Sequence, residues 1–548
     1  MTGGGEIQLA QPIIQRIQSF LTGKEAAQTT IVSKSWHKAW LTLPNLEFDD
    51  TYFGASHYFG VNHSSAEDFE NHAKKTIKRY GQSNLKIESF KLCMKIDHYD
   101  RAELANKLIV KALRFGATRL CLRLKISNSF VLPDEVFGAD NLVELSLSGC
   151  RIKLDDRVVI KFRRLESLNL DYNVYITVDM VSKIVSSCPC IKKLSLLLDF
   201  YQQYEDGRND VYIGGRRVDA AAVRKAVATA MPVGVVDNLI PRLRCLALGY
   251  VWFKILCVGD LLSRFPFLKD FTLYLNLSSV NIDTIFEEGI QISNCSLERI
   301  KLVLQGFQSS DKIRRPRVKF DVPSVREFTF EGTVIPFLSF MSVPLSREWE
   351  SHVTIQCIDD GFCFSTIWFN ELSELLTELS QSKTHLSLNA RGNTDSFDYK
   401  VADKIIQGLR KHELENLTVD MRGLPSLSCY ALFDGLFRLC RPKLITHYYK
   451  DDPDKRRYGD SDMEKTNIDI LCKTLEEGIN FKVLNPTQFM YGLNDLEEVN
   501  AQAFDMDCVP AVWKPIPFEL LLDADTPDEH EHVLAHQRIR LLLKWKTS

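Results

Sequence analysis

No apolar run reaches the ~18 residues that a helix needs to cross a bilayer, so no membrane span is expected. The opening MTGGGEIQLAQ lacks a basic stretch followed by an apolar one, and no secretory signal is expected either. Neither sign of charge predominates. A formal net charge of -3 gives no general electrostatic drive toward DNA, RNA or anionic lipid, so neither nucleic acid nor membrane is an expected partner. The 14 cysteines are scattered rather than crowded into a small disulfide framework, which implies reduced, mostly buried thiols and a cytoplasmic or nuclear setting.

Motifs of catalysis are missing as well. There is no G-x-S-x-G, H-R-D or D-F-G string in a suitable context, and Gly214-Gly215-Arg216-Arg217 has no phosphate-loop frame around it. Cys188-Pro189-Cys190 is C-x-C without a partner pair at zinc spacing, and reads as a helix end turning into a strand. His530, His532 and His536 lie in EHEHVLAH, where His532 and His536 fall one helical turn apart. Val533 follows His532, so the zinc-protease pattern is absent and a solvated helix face is the expectation. No catalytic residue, metal or cofactor is expected.

What the chain does have is a short apolar pattern that keeps returning. Leu142-x-x-Leu145-x-Leu147-x-x-Cys150-x-Ile152 fits the leucine-rich-repeat consensus at nearly every position, and Leu165-x-x-Leu168-x-Leu170-x-x-Asn173 fits as well. Looser copies are centred on Phe90, Leu120, Leu194, Leu246, Phe271, Ile300, Phe328, Val353, Leu386 and Leu417. Centres fall mostly 23 to 31 residues apart, with one step of 33 and a double step of 52 between Leu194 and Leu246. Such repeats run about 20–29 residues, so the spacing predicts an irregular solenoid. Each copy should add one strand to a parallel concave sheet, with helices such as Thr177–Ser187 and Val258–Arg264 on the convex side. Cys150, Asn173 and Asn276 occupy the bend position and read as structural. Between the strand leucines, Ser146, Asn169, Ser195, Thr272, Lys301 and Thr329 should face outward on the concave side, where a partner protein could bind.

Three stretches interrupt this grammar. The double step holds GGRRVDAAAVRKAVATAM (Gly214–Met231), either a disguised repeat or a loop across a rim. KIRRPRVKF carries Arg314, Arg315, Arg317 and Lys319, a candidate site for an acidic or phosphorylated peptide or else a convex loop. Lys450–Lys465 is charged, with proline and glycine, and reads as a solvated linker. Beyond it Asn467–Gly478 and Asp528–Lys546 look helical, separated by the proline-rich Val509–Glu519.

The last signal comes first in the chain. From Leu9 to Trp40 apolar residues recur at helical spacing: Ile13, Ile14, Ile17, Phe20 and Leu21, then Ala26, Ala27 and Ile31, then Val32, Trp36 and Trp40. So short a unit lacks the area to fold alone, and part of its stripe should pack on a partner or on the next domain. The segment resembles an F-box through Leu9, Pro12, Ile17-x-Ser19-x-Leu21, Lys24-Glu25-Ala26, Ser33-Lys34-x-Trp36 and Trp40, with LPNLEFDD (Leu43–Asp50) resembling the end of plant F-boxes. Followed by IESFKLCMKID (Ile87–Asp97), RLCLRLKIS (Arg119–Ser127), VLPDEVFGADNLVELSLSGCRI (Val131–Ile152) and CPCIKKLSL (Cys188–Leu196), it resembles plant F-box/leucine-rich-repeat proteins.

That resemblance implies an α/β fold: an N-terminal three-helix F-box over 7–50, a connector with a helix over 51–85, and an irregular leucine-rich-repeat solenoid over 86–450. Residues 199–241 would be an insert or irregular repeat, and 451–548 a charged loop and C-terminal cap. It also implies a non-catalytic substrate receptor of an SCF (cullin–RING) ubiquitin ligase. Leu9, Pro12, Ile13, Ile17, Leu21, Val32, Trp36 and Trp40 would dock a Skp-type adaptor, and through it cullin and RING subunits, while the repeats hold a substrate protein. In the family Leu and Pro are usually adjacent, whereas Ala10 follows Leu9 here. The alternative is therefore a repeat scaffold whose F-box has become an N-terminal cap.

Overall fold

Apolar alternation at the repeat centres produces strands, and in the computed structural model every expected centre lies in one. The structure describes residues 9–53, 63–126, 130–155, 157–171, 174–176, 178–197, 211–213, 216–218, 242–249, 258–276, 289–306, 315–342, 344–346, 348–357, 366–390, 410–420, 426–447, 470–476, 493, 495–505, 512–521 and 539–546. They fall into two units, Met1–Lys254 and Ile255–Ser548. The fold is mixed α/β, and parallel strand pairs dominate both units, as stacked repeats require.

The first unit begins with helices α1 (Gln11–Gln18), α2 (Gly23–Gln28) and α3 (Lys34–Leu41), then strand β1 (Asn45–Asp49). Helix α4 (His63–Gln82) leads to β2 (Ser89–Ile96), α5 (Tyr99–Arg114), β3 (Arg119–Ile126), β4 (Glu144–Ser148), β5 (Ser167–Leu170) and β6 (Lys193–Leu196). A hairpin of β7 (Val211–Ile213) and β8 (Arg216–Val218) precedes β9 (Cys245–Gly249). The expected helix over Thr177–Ser187 is present as Val178–Ser186.

β1, β2, β3, β4, β5, β6 and β9 pair in that order, all parallel. One buried row therefore runs Leu46, Phe90, Leu120, Leu145, Leu168, Leu194, Leu246, and a second Phe48, Leu92, Leu122, Leu147, Leu170, Leu196, Leu248. One thing differs from the sequence reading, and one of its open alternatives is decided. LEFD, read as the tail of the box, is the first strand of the sheet. And β6 pairs directly with β9, so no strand from the double step lies between Leu194 and Leu246. Cys150 is fully buried and burial pushes its thiol up to about 12, which fits the structural role. Asn173 lies outside the described residues, and Asn276 ends a strand.

A buried ion pair fastens the start of this sheet. Asp50 opens the turn after β1, and its Oδ2 accepts from Arg101 Nη2 of α5 at 2.9 Å and from the Lys95 backbone N–H of β2 at 2.8 Å. Arg101 is only 1% exposed, with its guanidinium over the Phe69 ring of α4.

The second unit carries β10 (Asp270–Asn276), β11 (Ile290–Ser293), β12 (Arg299–Gln305), β13 (Arg317–Asp321), β14 (Glu327–Gly332), β15 (Phe337–Phe340), β16 (Glu350–Cys357) and β17 (Lys383–Ala390). These are followed by β18 (His412–Leu414), β19 (Asn416–Asp420), β20 (Cys440–Pro442), β21 (Leu444–His447), β22 (Leu496–Asp505), β23 (Val512–Ile516) and β24 (Ile539–Trp545). β10, β12, β14, β16, β17, β19 and β21 form the parallel ladder. β11, β13 and β15 make a second parallel sheet, and β18 with β20 a third.

The row of expected centres shifts between β14 and β16. Phe271, Ile300 and Phe328 share a row, but Phe328 stands opposite Ser351, not Val353, which pairs with Phe330. Ser351 is buried where an apolar side chain is expected, and its hydroxyl is satisfied by Ser382 Oγ at 2.6 Å and Thr384 Oγ1 at 3.0 Å. The expected centre at Val353 is thus displaced by two residues.

The C-terminal helix expected over Asp528–Lys546 is corrected at its end. Ile539, Leu541 and Leu543 alternate with exposed or half-exposed neighbours, and β24 pairs antiparallel with β21 and β22. The proline-rich stretch before it contains β23, which keeps Pro515 by pairing only with β22 among the described residues. Residues 470–476 are helical as expected, whereas the histidine cluster and Lys450–Lys465 lie outside the described residues.

His412 gives this unit an acid limit. It is 5% exposed, its Nε2 sits 3.4 Å from Ser373 Oγ, and burial lowers its pKa to about 4. A histidine held neutral when folded but free to protonate when unfolded contributes stability above pH ~6.5 that is lost as pH falls toward 4. Wild-type protein should therefore lose urea-unfolding stability relative to His412→Gln across that window, and the two should run parallel above pH 7. Glu371, pushed up to about 7 by burial, acts in the opposite direction, so the comparison with the variant isolates His412.

Candidate functional site

The N-terminal helices are built inside out. Gln11 and Gln15 Nε2 donate to Thr42 Oγ1 at 3.0 and 2.9 Å, and the buried Gln18 Nε2 donates to Thr29 Oγ1 at 2.9 Å and the Trp36 carbonyl at 3.2 Å. Three glutamine amides and Ile14 thus face inward from α1, while Ile13 is 51% exposed, Ile17 37% and Phe20 73%. A core helix does the reverse, turning its apolar stripe inward. Leu9 and Pro12 are also exposed, as are Ile31 and Val32 in the turn before α3. Small residues Ala26 and Ala39 are buried where the helices meet.

Local signals explain why these short helices hold. Pro12 sits in the first turn of α1, though Ala10 at its N-cap supplies no side-chain hydrogen bond. Thr22 and Glu25 form a reciprocal capping box on α2, and the hydrogen bonds from Thr22 hold the Glu25 carboxyl below its usual range. Ser33 caps α3 by accepting from the Trp36 N–H.

Leu21, Trp36 and Trp40 are half-buried. Leu21 and Trp40 line a cleft of about 650 Å³ whose other walls include Leu43, Phe48, Tyr52, His72 and Tyr80. Burial raises the Tyr80 phenol to about 12, and its hydroxyl donates to the Leu43 carbonyl at 2.5 Å. So the expected adaptor residues divide. Leu9, Pro12, Ile13, Ile17 and Val32 are exposed, and Trp40 faces the sheet.

The six positions expected to face outward from the repeats form two continuous rows. Ser146, Asn169 and Ser195 stand side by side on β4, β5 and β6, with Asn169 Nδ2 donating to Ser146 Oγ at 3.1 Å. Thr272, Lys301 and Thr329 do the same on β10, β12 and β14, where Lys301 pairs with Glu331 at 2.9 Å. All six are half-exposed. The second row continues into His352, His385 and Asn416, which the sequence reading passed over because nothing in their spacing links them.

The basic run is corrected. Arg315 does not stand ready for an acidic peptide: its Nε lies 3.5 Å from Glu371 and Nη1 bonds Glu374, both on the helix Thr366–Glu378. Its Nη2 also donates to the Pro336 carbonyl at 3.1 Å. Arg317 and Lys319 lie on the exposed face of β13, and Arg314 is outside the described residues.

Among the described residues no three His, Cys, Asp or Glu side chains gather as a complete metal site, and no helix is long and apolar enough to cross a membrane.

Comparison with known proteins points one way. No family model matches the sequence. Two F-box/LRR-repeat proteins of Arabidopsis thaliana are 28% identical over 190 residues and 29% identical over 194, in each case 34% of this chain. An FBD-associated F-box protein of the same plant is 25% identical over 198 residues, 35% of this chain. These matches span 41%, 38% and 43% of the relatives' own lengths.

Proposed function

Starting from a chain that is similar to plant F-box/LRR-repeat proteins over about a third of its length, we propose that it is a non-catalytic substrate receptor of an SCF-type ubiquitin ligase. Residues 9–41 act as a three-helix F-box that docks a Skp-type adaptor, and the strand ladders form a leucine-rich-repeat solenoid that holds a protein substrate. The observation that carries this reading is α1, which turns Gln11, Gln15 and Gln18 inward and leaves Ile13 and Ile17 exposed, with Phe20 exposed just beyond its end. An apolar stripe left outward on a helix whose inner face is hydrogen-bonded to its neighbours through glutamine amides is what a protein interface needs. Trp40 lines the cleft that these helices share with β1. Each unit offers its own outward row to substrate, Ser146–Asn169–Ser195 in the first and Thr272–Lys301–Thr329 in the second. No nucleophile is required, because holding a substrate lysine near a charged conjugating enzyme accelerates transfer by proximity.

The test uses Ile13→Asp with Ile17→Asp. Both residues are exposed, so unfolding of the protein should barely change, while affinity for a purified Skp-type adaptor falls roughly a hundredfold or more. If wild-type chain and adaptor elute separately from gel filtration at tens of micromolar, the helices are a cap for the repeats and the ligase reading is wrong.

A further inference from the structure

On the outward face of the second unit, His352 of β16 and His385 of β17 are direct cross-strand partners. Their rings lie nearly parallel, 18° apart, with centroids 4.7 Å from each other. Both are half-exposed and flanked along the row by Thr329 and Asn416, which leave the rings open to solvent above. Glu350 Oε2 lies 3.6 Å from His352 Nε2.

We propose that His352 and His385 together chelate a divalent transition-metal ion of the zinc class, leaving its remaining positions open to water or to a partner's side chain. Tetrahedral zinc takes imidazole nitrogens at about 2.0–2.1 Å, which places two of them roughly 3.3 Å apart. The rings stand on adjacent strands with centroids 4.7 Å apart, so turning both about their side-chain bonds, out of the parallel stack, brings one nitrogen of each toward a shared ion. Glu350 Oε2, 3.6 Å from His352 Nε2, has to move a few tenths of an ångström closer to accept that proton and leave Nδ1 as the ligand, the carboxylate–histidine arrangement common behind metal-bound imidazoles. The charge around the site suits a cation. Glu327 and Glu350 stand together in the adjacent row, and the neighbouring lysines Lys301, Lys383 and Lys443 are paired with Glu331, Glu348 and Glu415.

The site is independent of adaptor docking, and the test is made on the full chain alone. Equilibrium dialysis against Zn²⁺ at pH 7.5, with protein-bound zinc counted, should give one more saturable equivalent in wild type than in His352→Gln with His385→Gln. His532→Gln with His536→Gln should retain that equivalent, because the tail histidines are a separate source of binding. Single variants should each weaken it more than about tenfold. The proposal is overturned if the double variant of the pair binds as much zinc as wild type at every concentration.

Discussion

Asp50→Ala should destabilise the first unit by about 3–5 kcal/mol, the usual cost of removing one partner from a buried ion pair. The loss is large because two groups are stranded at once. Arg101 keeps its charge with almost no access to water, and the Lys95 backbone N–H at the head of the sheet loses its acceptor. The expectation differs from that for surface pairs such as Lys107–Glu103, where both side chains are well exposed and loss of one changes little. Denaturant unfolding of Asp50→Ala beside Glu103→Ala separates the two cases. Equal midpoints would mean that water reaches Asp50 and that the rivet between turn, α5 and β2 is not there.

Gly149→Ala should be at least as damaging. This glycine ends β4 with φ of +71°, where a Cβ is strained, and an added methyl carbon would lie 1.6 Å from the Leu124 carbonyl oxygen of the neighbouring strand. No rotamer relieves a clash at Cβ, so the backbone of β3 or β4 must move and the Leu122–Leu147 row must part. We expect a loss of several kcal/mol, near the upper end for single substitutions. Gly138→Ala is the control: nothing lies within 4 Å of its added carbon, and its stability should stay close to wild type. If the two alanine variants express and melt alike, the close approach of β3 and β4 at this bend is wrong.

The repeat centres were legible because a buried parallel strand must show its leucines to both neighbours, so Leu145, Leu168 and Leu194 announce themselves locally. What escaped were features that depend on residues far apart in the chain. Ser351 carries no apolar signature, and only Ser382 and Thr384 make its burial tolerable. Arg315 looked free because its carboxylates, Glu371 and Glu374, come from a later helix. The final strand was mistaken because Leu541, Leu542 and Leu543 form a continuous apolar run, which hides an alternation that only its pairing partners reveal. At the N-terminus the helical spacing of Ile13, Ile14 and Ile17 was plain. Which of them faces out was not, since that is decided by the glutamines' hydrogen bonds to Thr29, Trp36 and Thr42.

β24 sits between β21 and β22 in the sheet although β22 and β23 precede it in sequence. During synthesis, β21 and the hairpin of β22 and β23 therefore emerge before the strand that joins them. Until it arrives, β21 presents an unpaired row of backbone donors and acceptors, the sort of edge that recruits strands from other chains. Seven residues, Ile539–Trp545, thus govern more than their own local order. They act as the closing stitch of a vectorial assembly, and a nascent chain held before them keeps that edge of β21 open.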